Sequence, residues 1–218
     1  MNFLALCKSL RQEASLSGAG PTTVESTVPA EMQRVINWVA TSWTEIQEQR
    51  DDWRFLRFAF SKTITASSPT IAVATDYKKF KEDSGVMTHP NGSVSQPDYV
   101  DPDTFTHAKR LGHYQPSGTP IIFTVHDDGI LETLPAPDGS YTFDGDYFRT
   151  PQILTKNIDI ALLPVQYHML IVYFGLMKYG AWDESPNHYA RGETEYDRIF
   201  RQVVRTQTPR ITLPGPLA

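Results

Sequence analysis

Between residues 32 and 46 the apolar side chains Met32, Val35, Ile36, Val39, Trp43 and Ile46 recur at offsets of three and four. A helix gathers such a set onto one face, because 3.6 residues per turn bring positions i, i+3, i+4 and i+7 together. This stripe is the strongest periodic signal in the chain, and it requires a partner to pack against. Pro29 suits the first turn of that helix, where a missing N–H costs nothing, and the charged stretch 45–52 closes it. Upstream, residues 2–15 place Phe3, Leu6, Cys7 and Leu10 at the same spacing, with Lys8, Arg11, Gln12 and Glu13 away from that face. Gly18, Gly20 and Pro21 end that segment.

Helical spacing returns at Pro164. Val165, Met169, Val172, Tyr173, Leu176 and Met177 make a broad apolar face, widened by Ile171 and Phe174, so this helix is expected to be buried on most sides. Gly180 and the AWDESPN stretch break it, and Pro186 opens a last helix with Tyr189, Tyr196, Ile199, Phe200 and Val203 inward. After Arg205 the pattern stops, and TQTPRITLPGPLA, with three prolines, reads as extended chain.

Residues 55–151 differ in character. FLRFAFSKTITA alternates loosely and carries β-formers, and short apolar runs follow at 71–74, 120–125, 130–134 and 141–148. Turn chemistry separates them at Asn91-Gly92, Asp128-Gly129, Pro137-Asp138-Gly139 and Asp144-Gly145. IIFTVHDDGILETL is the clearest hairpin, with Asp128-Gly129 at its tip. Residues 80–116 are polar and proline-rich and predict a long loop, with room for a brief helix around 105–111. Neither helical end makes a convincing core alone, so the two are expected to pack together around an inserted β region. The fold class is α+β: a helical bundle from residues 1–54 and 164–205, a β-rich insertion with long loops at 55–163, and an extended C-terminal arm at 206–218.

Charge and cysteine content narrow the function. Twenty basic against 25 acidic residues give a net charge of −5, which argues against a dedicated nucleic-acid binder and is compatible with a protein past which DNA slides without sticking. The single Cys7 excludes an intrachain disulfide and reads as a reduced, buried thiol. The N-terminus lacks the pattern of a signal peptide, and the most apolar run, 169–177, is too short to span a bilayer. A soluble, cytoplasmically made protein is expected, with no membrane partner.

Catalytic constellations are weak. Gly18-Ala19-Gly20-Pro21 lacks the Lys-Ser/Thr pair of a phosphate loop. His126, Asp127 and Asp128 are conceivable metal ligands, but the hairpin turn accounts for the aspartates better. Asp98, Asp101 and Asp103, like Asp144 and Asp146, lack the spacing of a calcium loop and read as solvated carboxylates. His168 lies in an apolar helix and reads as a hydrogen-bonded core histidine. No cofactor, metal or catalytic residue is expected. Trp38, Trp43 and Trp53 default to the core, with one or two available to face a neighbouring subunit.

NFLALCKSLRQEASLSGAGPTTV, EMQRVINWVATSWTEIQEQRDDWRFLR and LPVQYHMLIVYFGLMKYGAWDESPNHYARGETEYDRIFRQVVRTQTP together resemble the head-to-tail adaptor (connector) proteins of tailed bacteriophages, of the podovirus neck type. The resemblance covers about half of the chain; the middle is far less diagnostic. It implies a structural virion protein at the neck, a ring of identical copies (a dodecamer) beneath the portal protein. Such a ring extends the channel for genomic DNA without binding it specifically, and offers a platform to later tail and nozzle proteins. Proline lowers the entropy lost when a segment is ordered, so Thr208, Pro209, Arg210, Ile211, Thr212, Leu213 and Pro214 are the candidate portal-binding arm. Two other readings compete: a tail-completion or tube-terminating protein that binds the tail tube, and a carboxylate- or metal-dependent hydrolase using His126, Asp127 or Asp128.

Overall fold

The computed structural model describes residues 1–18, 20–26, 28–66, 68–112 and 114–209. The chain is α+β, with α1 (Phe3–Glu13), α2 (Ala30–Glu48), α3 (Pro102–Leu111), α4 (Met169–Trp182) and α5 (Pro186–Gln207). It divides into two compact units: Met1–Phe55 together with the described residues from Pro151 onward, and Leu56–Thr150.

The first unit holds α1, α2, α4 and α5. The Asn2 side chain accepts from the Ala5 N–H at 2.9 Å and caps α1, satisfying one of the donors a helix start leaves free. The stripe of α2 faces inward: Met32, Val35, Ile36, Val39, Trp43 and Ile46 are all buried. Trp43 and Trp53 are fully buried; the Trp53 indole donates to the Ile46 carbonyl at 3.2 Å, and its ring stacks on Phe55 at 5.4 Å. A side chain of this size removed from water contributes about 3 kcal/mol. α4 and α5 form an antiparallel hairpin. Near the turn Gly180 meets Tyr189, farther along Phe174 meets Tyr196 at 4.9 Å, and at the open end Thr206 Oγ1 lies 3.2 Å from the Tyr167 hydroxyl.

Glycine sets how closely these helices approach. A Cβ on Gly180 would stand 2.5 Å from the Tyr189 backbone nitrogen, and one on Gly175 would stand 2.8 Å from a Leu10 methyl. Gly180, expected to break the helix, therefore stays inside α4: the contact it permits outweighs the roughly 1 kcal/mol of helix propensity it forfeits relative to alanine. Pro164 starts a 3-10 turn, Val165–Tyr167, rather than α4 itself. α5 continues to Gln207, two residues past Arg205, where the helical pattern was expected to stop.

Among the described residues, the second unit contains eleven strands: β1 (Arg57–Ile64), β2 (Thr70–Ala72), β3 (Tyr77–Phe80), β4 (Val86–Thr88), β5 (Val94–Ser95), β6 (Asp98–Tyr99), β7 (Ser117–Gly118), β8 (Ile122–Val125), β9 (Ile130–Leu134), β10 (Ala136–Pro137) and β11 (Tyr141–Arg149). β11 is central to the larger sheet. β1 pairs antiparallel along its length, from Arg57 opposite Phe148 to Ile64 opposite Tyr141; β4 and β3 share its other edge, and β5 extends β4. The smaller sheet runs β2-β9-β8-β6, and β7 and β10 form a parallel pair. Phe60, Ile64, Phe80, Met87 and Phe143 from the first sheet share one core with Val73, Phe123, Val125 and Leu131, with Phe123 and Phe143 in edge contact at 4.8 Å.

β8 and β9 form the expected hairpin, with Gly129 at φ +78 in its turn. The Asp144-Gly145 pair does not turn: it lies inside β11. A Cβ on Gly145 would stand 3.0 Å from both the Phe60 and Phe80 rings, so the glycine is there for close packing. Residues 80–116, expected as a long loop with room for a brief helix at 105–111, contain that helix as α3, begun three residues earlier, and also β4, β5 and β6, which were not expected; Asp101 caps α3 through the Thr104 N–H at 3.0 Å. Residues 151–163, assigned from sequence to the β-rich insertion, cluster with the helices instead.

Candidate functional site

Several residues with catalytic potential are engaged in structural bonds. Asp128 Oδ1 accepts from the Ile130 N–H at 3.0 Å within the hairpin turn. His126 Nε2 lies 3.3 Å from Glu132, which also pairs with Lys109. Asp146 pairs with Arg57 at 3.4 Å. Burial pushes the Cys7 thiol up to about 12, which keeps it protonated and unreactive. Among the described residues, no group of three or more His, Cys, Asp or Glu is placed to hold a metal ion. Two Ser–His contacts were not anticipated from sequence: Ser95 Oγ with His89 Nε2 at 2.7 Å, and Ser185 Oγ with His188 Nδ1 at 2.8 Å. The second joins, side chain to side chain, the residue before α5 to the first turn of that helix.

His168 is fully buried. Its Nε2 lies 2.7 Å from the Leu163 carbonyl, which can only accept, so Nε2 carries the proton; Nδ1 then accepts from the Met1 backbone nitrogen at 2.7 Å. Burial, the largest influence, holds its pKa below the usual histidine value. A neutral imidazole bonded at both nitrogens is the core histidine the sequence suggests.

The segment leading to His168 is held on several sides. Gln47 and Gln152 exchange amide bonds, and the Gln152 side chain accepts from the Trp43 indole at 3.2 Å and the Leu162 N–H at 3.0 Å. Asn157 accepts from the Val24 N–H at 2.8 Å, and Asp159 accepts from the N–H groups of Thr155 and Lys156 at 2.7 Å each. Those backbone bonds, Lys156 first, hold the Asp159 carboxyl below its usual range. On this pinned segment Ile153, Ile158, Ile160 and Val165 are exposed, between 57% and 74%. Isolated exposed apolar residues are ordinary, but four within thirteen positions on ordered chain make a surface suited to contact with another protein. The alternation that would flag an amphipathic element is missing here, and only the net apolar content of ILTKNIDIALLPV hinted at it.

A second surface lies at the α4–α5 turn. Trp38 is half-buried, and its ring meets Tyr179 at 5.8 Å and Trp182 at 5.7 Å. Trp182 is 51% exposed, with the Arg34 guanidinium 4.6 Å from its ring centre. The Tyr179 hydroxyl donates to Asp183 at 3.1 Å, and burial first, then Asp183 and Glu31, raise its pKa. Of the three tryptophans marked from sequence, Trp43 and Trp53 belong to the core and only Trp38 reaches the surface; Trp182 was missed because it follows the glycine expected to end α4.

Of the candidate arm, Thr208 closes α5, its Oγ1 2.7 Å from the Val204 carbonyl, and Pro209 is exposed. Arg210, Ile211, Thr212, Leu213 and Pro214 lie outside the described residues. Among the described residues no helix is long and apolar enough to cross a membrane. No curated protein matches the chain. A family model, that of the SU10 adaptor protein, matches residues 1–217.

Proposed function

Because the chain belongs to the SU10 adaptor protein family, we propose that it is a non-catalytic head-to-tail adaptor of a phage virion. Copies form a closed ring, a dodecamer, beneath the portal protein at the neck. The ring extends the channel through which genomic DNA passes and presents a platform to the tail and nozzle proteins that join afterwards.

The family match over nearly the whole length carries this reading. It is supported by the way each unit is built. Both have their own cores, Asp128 and Asp101 serve a turn and a cap, His168 is bonded within the core, and exposed aliphatic and aromatic groups lie on the helical unit. A ring interface is heterologous, with two different faces meeting around the circle, and ordered apolar surface lowers the entropy lost on association. The acidic balance, 25 against 20, disfavours adhesion of DNA.

Purified portal protein and purified tail-tube protein, each tested for capture of the full chain, separate this from a tail-tube terminator. Binding to the portal is expected, with rings seen by electron microscopy on the bound complex. Capture by the tail tube alone, or absence of the chain from the neck of purified virions, refutes the adaptor reading.

A further inference from the structure

We propose that the Trp38–Trp182 surface is the seat for the proline-rich segment 209–216 of a second copy of this chain. The observations are the chemistry of the surface, the chemistry of the segment, and the distance between them within one copy.

Half-exposed aromatic rings beside one another are the surface that proline-rich segments recognise, since a proline ring lies flat on an indole and little conformational entropy remains to be lost. The segment offers Pro209, Pro214 and Pro216, with Arg210 next to the first. The aromatic surface is flanked by the carboxylates of Glu31 and Asp183 and by the guanidinium of Arg34, and those two carboxylates give Arg210 a charge match. Trp, Tyr and Arg are also the residue types that dominate binding energy at protein interfaces.

Geometry makes the contact one between copies. Trp182 precedes the start of α5, and the segment leaves from its other end. The 22 residues of α5 rise about 1.5 Å each, roughly 32 Å in all. From Gln207, Arg210 reaches at most about 11 Å and Pro214 about 25 Å, even fully extended. Neither can return to the aromatic surface of its own copy, and Pro216, at most about 32 Å away, touches it only with the chain pulled straight, which leaves Arg210 and Pro214 short of the seat. A neighbouring copy can supply both.

The seat deepens the adaptor reading and rests on it only in supposing that copies meet side by side. A labelled peptide of residues 206–218, titrated with the full-length chain and followed by fluorescence anisotropy, tests it without a ring. Saturable binding is expected, weakened about tenfold by Trp182→Ala and measurably by Glu31→Lys, and retained by Trp182→Phe. Glu31 is exposed on the first turn of α2, so its exchange tests the charge match even if Trp182→Ala fails to fold. A peptide that does not bind, or that binds both Trp182→Ala and Glu31→Lys as tightly as the unaltered chain, overturns the proposal. So does a peptide that binds portal protein and ignores this chain. Peptide binding without ring formation on the portal would instead leave the seat standing and refute the adaptor reading.

Discussion

Gln47 and Gln152 are joined by a reciprocal pair of bonds: the Gln152 backbone N–H donates to Gln47 Oε1 at 2.7 Å, and Gln47 Nε2 donates back to the Gln152 carbonyl at 3.0 Å. A buried side-chain amide thereby imitates the edge of a β-strand, satisfying a backbone that has no sheet to join. Gln47 Nε2 also donates to the Trp43 carbonyl at 3.1 Å, so the amide is engaged on every side of this contact.

Replacing Gln47 with alanine leaves the Gln152 N–H and carbonyl without these partners in a partly buried setting. Each such group costs about 1–3 kcal/mol, so Gln47→Ala is expected to destabilise by about 2–4 kcal/mol, read as a lower urea midpoint. A loss under about 0.5 kcal/mol, the range of ordinary surface exchanges, would show that water replaces the amide and that the pair is not a structural tie.

Gly180→Ala sets two effects against each other. Alanine gains about 1 kcal/mol of helix propensity, but its methyl would meet the Tyr189 backbone nitrogen at 2.5 Å. Backbone cannot rotate aside as a side chain can, and overpacking costs about 1–3 kcal/mol or more. Net destabilisation is expected in thermal unfolding; a gain in melting temperature would mean that α4 and α5 do not approach this closely.

His168 gives stability a pH dependence of known sign. Its folded pKa is depressed from 6.5 by burial, so the neutral form is favoured in the folded state. The contribution is fully present above 6.5, the unfolded value, and is lost as pH falls through the lower, folded value. Urea midpoints measured from neutral pH down to about pH 5 should fall more steeply for the native chain than for His168→Gln. Parallel curves would assign the slope to other groups.

Gly145→Ala reports on the β unit separately. The added methyl would meet two phenylalanine rings at 3.0 Å, and rings can shift by tenths of an ångström, so the cost is expected to be milder than at Gly180, about 1–2 kcal/mol. The measurement is hydrogen exchange along β1 and β11, which should quicken there while α4 and α5 keep their protection.

Much of the helical pattern was legible because it depends on local spacing. The stripe from Met32 to Ile46 becomes the buried face of α2, and the Asp128-Gly129 tip becomes the hairpin turn. What escaped depends on distant partners. Gly145 looks like a turn signal until Phe60 and Phe80 arrive from two other strands. Gly180 looks like a helix end until Tyr189 packs against it. Gln152 has no signature, since its role is defined by Gln47, 105 positions away. The exposed aromatic surface was half legible: Trp38 was among three tryptophans of which one or two were expected to face a neighbour, whereas Trp182 was hidden by the misread glycine.

The pairing of Arg57 with Phe148 places the entry and exit of the β unit on neighbouring strands, with α-carbons about 5 Å apart. Bridging so narrow a gap takes only a residue or two, and lengthening such a closure costs little entropy. In evolutionary terms, an insertion whose two ends lie this close can lengthen or shorten at little entropic cost to the closure of the chain that carries it.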